Sequence, residues 1–140
     1  MQGLFLEDLS VGQSADLVRT VGEADIIAFA AVSGDNNPVH LDADYAAGTS
    51  FGERIAHGML SASYISAVIG TRLPGPGAIY LSQALRFKRP VKIGDEVTAR
   101  ATISEIDTAK ARVTLTTVCL VNGKPVIEGE ALIMVPRKAA

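Results

Sequence analysis

An aspartate and a histidine stand at Asp35 and His40, in the stretch FAAVSGDNNPVHLDADYA that runs from Phe29 to Ala46. A carboxylate and an imidazole held at that spacing can exchange protons near neutral pH, one accepting while the other donates. Between them lies Asn36-Asn37-Pro38, which cannot continue a helix. Gly34, just before the acid, suits a left-handed helix end. The same residues also make an ordinary turn, in which a single histidine does nothing. A second group of interest is His57-Gly58, immediately before a long apolar run. Unpaired N–H groups at a helix N-terminus carry partial positive charge, and a glycine lets a ligand approach them with no Cβ in the way. The Gly58 N–H is therefore a candidate donor to an oxygen that gains charge during a reaction. The plainer alternative is that Gly58 only permits close helix–sheet packing. His57 is assigned to capping or orienting the helix start rather than to proton transfer.

Elements that position these groups can be read on either side of them. Residues 4–13 form a leading segment with a turn at Val11-Gly12, and Ser14 to Arg19 alternates weakly as a first strand. Thr20-x-x-Glu23 has the form of a capping box, after which Ile26, Ile27, Phe29, Ala30 and Ser33 follow helical spacing. Asp42 to Ala47 reads as a turn or two of helix, broken by Gly48 and Gly52. The run opened by His57 continues to about Leu73 and ends at Pro74-Gly75-Pro76-Gly77. It is apolar or small nearly all round, as a buried helix is.

Beyond Gly77 the period changes to two. Ile79, Leu81, Leu85 and Phe87 alternate with polar positions, as do Val97, Ala99, Ala101 and Ile103, and then Val113, Leu115 and Thr117. Asn122-Gly123 is a two-residue hairpin signal, and Val126-Ile127 through Val135 forms the last strand. Arg137 to Ala140 is expected to fray. A buried helix followed by an antiparallel meander predicts an α+β domain whose sheet wraps one long central helix. At 140 residues, with no internal repeat or linker, residues 1–140 are expected to form a single domain.

Composition removes several function classes. Hydrophobic residues make up 48% and charged residues 20%, which excludes a disordered chain. A net charge of −2, 5% aromatics and no Trp argue against a nucleic-acid partner. Two histidines and one cysteine lack metal-ligand spacing, so no metal is expected. No Gly-rich phosphate loop follows a strand, which argues against a nucleotide-dependent oxidoreductase. Cys119, alone in an apolar run, reads as a small buried hydrophobe in a reducing compartment. The N-terminus lacks a basic region and carries Glu7 and Asp8, and no apolar run reaches the ~20 residues of a membrane helix. A cytoplasmic protein with no membrane partner is expected.

The run Ser33-Gly34-Asp35-Asn36-Asn37-Pro38-Val39-His40-Leu41-Asp42, followed by Tyr45-Ala46, resembles the signature of the MaoC-like, (R)-specific enoyl-CoA hydratases known as hydratase 2. That signature reads Ser/Thr-Gly-Asp-x-Asn-Pro-(Leu/Ile/Val)-His-x-(Asp/Asn)-Pro-x-(Phe/Tyr)-Ala. Only its second proline is missing, replaced by Ala43, beyond both reactive side chains. The resemblance implies a hot-dog fold and a homodimer joined sheet to sheet. It also implies a reversible hydration of trans-2-enoyl-CoA to (R)-3-hydroxyacyl-CoA that needs no cofactor, coenzyme A being part of the substrate. Asp35 and His40 would form the catalytic dyad and the Gly58 N–H the oxyanion hole. Ser66 resembles a family position near the active site, with an ordinary helix serine as its alternative. Asn37 is assigned to holding the loop. Ile69 and Ile133 could line the acyl tunnel, or simply pack in the core. Lys88 and Arg89, in the densest basic cluster, could meet the coenzyme A phosphates or merely guard a strand edge. Two rivals remain: a hot-dog thioesterase, which usually places its acid differently, and a non-catalytic acyl-CoA or acyl-carrier binding module, which has no need of both base and imidazole. Chain length, direction and pathway stay open.

Overall fold

The structure is a computed structural model and describes residues 2–139. Five antiparallel strands form one sheet: β1 (Ser14–Thr20), β2 (Ile79–Phe87), β3 (Glu96–Asp107), β4 (Arg112–Val121) and β5 (Lys124–Met134). Their order across the sheet is β1-β3-β4-β5-β2, which leaves β1 and β2 at the edges. The alternation in the sequence is what builds the body: Val97, Ala99, Ala101 and Ile103 of β3 are buried, as are Val113, Leu115, Thr117 and Cys119 of β4. Every second residue points inward, so one face packs and the other meets solvent. The β4–β5 hairpin turns at Asn122 and Gly123, both with positive φ (51° and 74°).

The inner face closes on one long helix, Gly58–Thr71, here α4. It packs against β3, β1 and β4, burying Leu60, Tyr64, Ile65, Val68 and Ile69. The helix is less enclosed than its composition suggested. Met59, Ser63, Ser66 and Gly70 form an exposed stripe at helical spacing. β2 is similarly open, with Ile79 and Phe87 more than half exposed. A bulge between Tyr80 and Ser82 shifts its register and breaks the simple alternation expected there.

The chain between β1 and α4 makes an excursion off the sheet. It holds α1 (Glu23–Ser33), α2 (Pro38–Leu41) and α3 (Ala43–Ala47). The expected capping box at Thr20 is corrected. Thr20 is taken up in β1 opposite Glu96, and the helix is instead capped at Gly22, whose N–H donates to Asp25 Oδ2 at 2.8 Å. The carboxy-terminal segment departs from the frayed tail expected. The Arg137 side chain donates to the Ala109 carbonyl, and Lys138 pairs with Asp8 at 2.7 Å. Ala140 lies outside the described residues.

Candidate active site

Gly34 ends α1 in the left-handed region (φ 80°), its N–H bonded to the Ala30 carbonyl. The chain reverses there and presents Asp35. Ser33 fixes that reversal: its hydroxyl donates to the Phe29 carbonyl at 2.6 Å and accepts the Asp35 N–H at 3.0 Å. Asp35 Oδ1 accepts the Asn37 N–H at 3.3 Å, while Oδ2 has no protein partner among the described residues. Asn37 caps α2, its Oδ1 accepting the Val39 N–H at 3.2 Å. Pro38 occupies the first helical position, where its missing N–H is harmless. His40 thus sits on a one-turn helix rather than in open loop.

His40 is 8% exposed and its ring is committed on one side. Nδ1 lies 2.8 Å from the Ile55 carbonyl. A carbonyl oxygen only accepts, so Nδ1 carries the hydrogen and Nε2 is left for a ligand or a water. His57 is deeper, at 2% exposure. It occupies the N-cap position of α4 but makes no side-chain capping bond. Its Nε2–H instead donates to the Asp35 backbone carbonyl at 2.8 Å, and its Nδ1 is buried with no partner among the described residues. The expected helix-capping role gives way to an orienting one aimed at the acid. With Nε2 bonded and Nδ1 sealed from solvent, His57 has no free nitrogen to offer a substrate. The two imidazoles stack with centroids 3.9 Å apart, and Phe29 lies 4.9 Å from His57.

Ligating atoms of Asp35, His40 and His57 all lie within 4.8 Å of one another. A histidine offers its lone pair in the ring plane, and stacked rings 3.9 Å apart send those lone pairs side by side rather than to one point. The cluster is therefore arranged better for proton chemistry than for chelation.

A cavity of about 330 Å³ is lined by Gly58, Ser61, Phe87, Val91 and Ile127 and rimmed by Lys88 and Arg89. Asp35, His40 and His57 do not line it, and it reaches towards them only through their neighbours Ile55, Ala56 and Gly58. The segment before α4 is tied to the β2–β3 connection by the Ala56 N–H on the Val91 carbonyl at 2.7 Å, which helps fix where His57 and Gly58 stand. A side chain at position 58 would force the half-exposed Phe87 ring to move. A Cβ built on Gly58 would lie 2.6 Å from Phe87 Cε1 and 2.7 Å from Cδ1.

The structure distributes the remaining expected residues unevenly. Lys88 and Arg89 border the cavity, Lys88 4.0 Å from Glu128 and Arg89 Nη1 donating to the Pro125 carbonyl at 2.7 Å. Ser66 is on the exposed stripe of α4. Ile69 and Ile133 are fully buried core residues and do not line that cavity. Three neighbours escaped the sequence reading: Arg54, Ser61 and Phe87 as a cavity wall. Ser61 is fully buried, and its Oγ has no hydrogen-bond partner among the described residues. Its only sequence signal was a small polar residue one turn after Gly58.

A five-stranded antiparallel sheet curled about one helix is the hot-dog arrangement, here with an acid–imidazole pair beside the N-terminus of its central helix. The chain belongs to the MaoC-like domain family, whose pattern matches residues 8–124. It is 58% identical over 134 residues to the (R)-specific enoyl-CoA hydratase of Rhodospirillum rubrum, covering 96% of this chain and 93% of that protein. It is 47% identical over 135 residues to the 3-hydroxybutyryl-CoA dehydratase of Methylorubrum extorquens, covering 96% and 86%. Among solved structures, the unliganded (R)-hydratase PhaJ1 of Pseudomonas aeruginosa superposes with a TM-score of 0.92 at 52% identity, covering 97% of this chain and 88% of that one.

Proposed function

We propose that this protein hydrates trans-2-enoyl-CoA to (R)-3-hydroxyacyl-CoA, and runs the reverse dehydration, with short acyl chains as substrates. The observation that carries the reading is the convergence of the Asp35 carboxylate with the two histidine rings, within 4.8 Å, with Gly58 of the cavity wall next in the chain to His57. The 58% identity to an (R)-specific hydratase supports the reaction class. A short chain is favoured by the 3-hydroxybutyryl-CoA dehydratase relative.

In the proposed chemistry a water sits between Asp35 Oδ2 and His40 Nε2. Asp35 accepts its proton as the oxygen bonds to C3 of the enoyl group. Electron density moves through the double bond to the thioester oxygen, which the Gly58 N–H at the start of α4 stabilises. The pair then delivers a proton to C2, the thioester carbonyl re-forms, and the dyad returns to its starting state. The Ile55 carbonyl keeps Nε2 free for this by holding the hydrogen on Nδ1. No group beyond the substrate's own coenzyme A is called for, and Lys88 and Arg89 at the cavity rim suit its phosphates. A reducing cytoplasm suits the lone buried Cys119.

A homodimer is part of the reading. β2 is a sheet edge with free backbone groups and exposed Ile79, Leu81 and Phe87, an arrangement that pairs readily with a second copy. Sedimentation at micromolar concentration is expected to give a dimer; a fully active monomer overturns this part. The function itself is tested with crotonyl-CoA, by loss of the conjugated-enoyl absorbance and the configuration of the product. An (R)-3-hydroxybutyryl-CoA product supports the proposal. Release of free thiol without hydration would make the protein a thioesterase.

A further inference from the structure

Arg54 takes no part in the chemistry above, yet its side chain is the joint on which the dyad rests. Nε donates to the His40 backbone carbonyl at 2.6 Å. Nη1 and Nη2 donate to the two carboxylate oxygens of Glu23 at 2.8 and 3.0 Å, a fork-to-fork pair. The arginine side chain is 15% exposed and that of Glu23 52%, so what distinguishes this from a loosely held surface pair is the bidentate geometry together with the third bond, to the His40 carbonyl. All three contacts use the planar, fixed fork of a guanidinium, which a lysine cannot reproduce.

The topology gives these bonds their meaning. Glu23 is the first residue of α1, and Asp35 follows directly on the residue that ends it. The helix between them is eleven residues long, a rod of about 16 Å at 1.5 Å per residue. Arg54 braces the start of that rod against the residue bearing the imidazole, so the chain from Glu23 to His40 is closed into a ring. The neighbouring residue completes the lock: the Ile55 N–H meets the Val39 carbonyl at 3.3 Å, and the Ile55 carbonyl takes the His40 Nδ1 hydrogen at 2.8 Å. Displacing Arg54 would therefore disturb both the Asp35–His40 separation and the hydrogen bond that leaves Nε2 free.

We propose that Arg54, braced by Glu23, is a positioning residue that sets the distance between Asp35 and His40 and fixes the His40 tautomer. The inference rests on the proposed hydration for its kinetic arm only, because the tautomer can be read without turnover. The chain has two histidines, so 15N-imidazole spectra of this 140-residue chain contain two rings. His40 and His57 can be told apart with His57→Gln.

The test compares wild type, Arg54→Lys and Glu23→Gln. Arg54→Lys keeps the charge and loses the fork. Its kcat for crotonyl-CoA is expected to fall about 10²-fold, the scale set by a displacement of ~1 Å in a catalytic constellation. KM should stay within about threefold, because a group held away from the substrate changes its binding little. The His40 signals should move from a single Nδ1–H form to a mixture of tautomers. Glu23→Gln keeps one accepting oxygen, so its loss should be smaller in the same direction. A kcat retained in Arg54→Lys overturns the proposal. So does a kcat loss in which His40 keeps its wild-type tautomer, since that is what general loosening would give. If wild type fails to hydrate crotonyl-CoA, the functional reading fails, and the spectra alone then decide the role of Arg54.

Discussion

The sheet with α4 and the excursion between residues 21 and 57 are held together by different physics. In the body, β3, β4, β5 and α4 bury an almost unbroken apolar set, from Ile65 and Ile69 on the helix to Val97, Ile103, Leu115 and Ile133 on the strands. The excursion buries little beyond Val21, Ile26, His40, Ala46, Ala56 and His57. Its shape is kept by single polar bonds: the Asn37 and Asp42 caps, Arg54 on Glu23 and on His40, and each histidine ring on a carbonyl. Apolar burial is cooperative and tolerant of detail, whereas each hydrogen bond fixes one atom's position. The body therefore stores the stability and the excursion stores the geometry. A reaction that needs atoms placed to a fraction of an ångström belongs on the second, anchored to the first through Ala56, His57 and Gly58.

That division can be broken most forcefully at the dyad. Asp35→Asn and His40→Ala are each expected to lower kcat by about 10³-fold, the middle of the range for losing a general acid or base. Asp35→Asn should shift Tm by no more than about 3 °C, because Asp35 is exposed. His40→Ala removes a buried ring stacked on His57 and should lower Tm by roughly 2–6 °C with the sheet still folded. Near-normal turnover, or collapse of the fold, would contradict the assignment. Leu115→Ala in β4 should do the reverse. Leu115 is fully buried, so truncation should cost about 2–5 kcal/mol in a denaturant titration. Activity per folded molecule should stay within a factor of a few. A core variant that loses turnover while keeping its stability would show that the two regions are not separable.

A smaller effect sharpens the picture of the body. Cys119 is wholly buried and burial pushes its thiol up to about 12. The group's folded value lies above its unfolded one, so its contribution to stability is complete below pH 9 and fades as pH rises towards 12. At one unit above the unfolded value, near pH 10, about 1.4 kcal/mol should be gone. Cys119→Ala should flatten that part of the alkaline limb. Native protein at pH 8 should resist a thiol reagent until denaturant is added; rapid labelling would mean the strand opens in the native state.

The same division decided what was legible in the sequence. Strands β3 and β4 followed from alternation because period two and burial on one face are the same fact. α4 followed from its apolar run, and α1 from helical spacing ended by Gly34. The pairing of Asp35 with His40 came from the resemblance of one short stretch, since the turn residues alone allow an ordinary loop. The structure brings the two side chains together, and Gly58 was legible as the opening of a helix. What was not legible depends on contacts across space. The acceptors of Arg54 lie 14 and 31 residues away, and His57 meets a backbone atom 22 residues back. Thr20 matched a capping pattern, but pairing with Glu96 drew it into β1, and the overlapping Gly22–Asp25 cap took over. Ile79 and Leu81 alternated correctly, yet lie on an edge strand with a bulge and stay exposed. Pinning of Lys138 on Asp8 joins opposite ends of the chain, which no local pattern announces.

The finest test concerns Asn37, because there the excursion should loosen without the molecule noticing. Its side chain caps α2 from an exposed position, so Asn37→Ala should cost about 0.5–1 kcal/mol at most. The sheet amides should keep their exchange protection, while those of residues 38–42 should exchange faster, since segments with few buried contacts open below the global free energy. Turnover should drop by more than the stability change suggests, because His40 rides on that single helical turn. Asn37→Asp keeps the accepting oxygen and should restore both the protection and most of the rate. If Asn37 instead serves the substrate directly, the alanine variant will raise KM with α2 exchange unchanged. The role would then be binding rather than capping, and the geometry of the excursion would depend less on its caps than on Arg54 and the two buried rings.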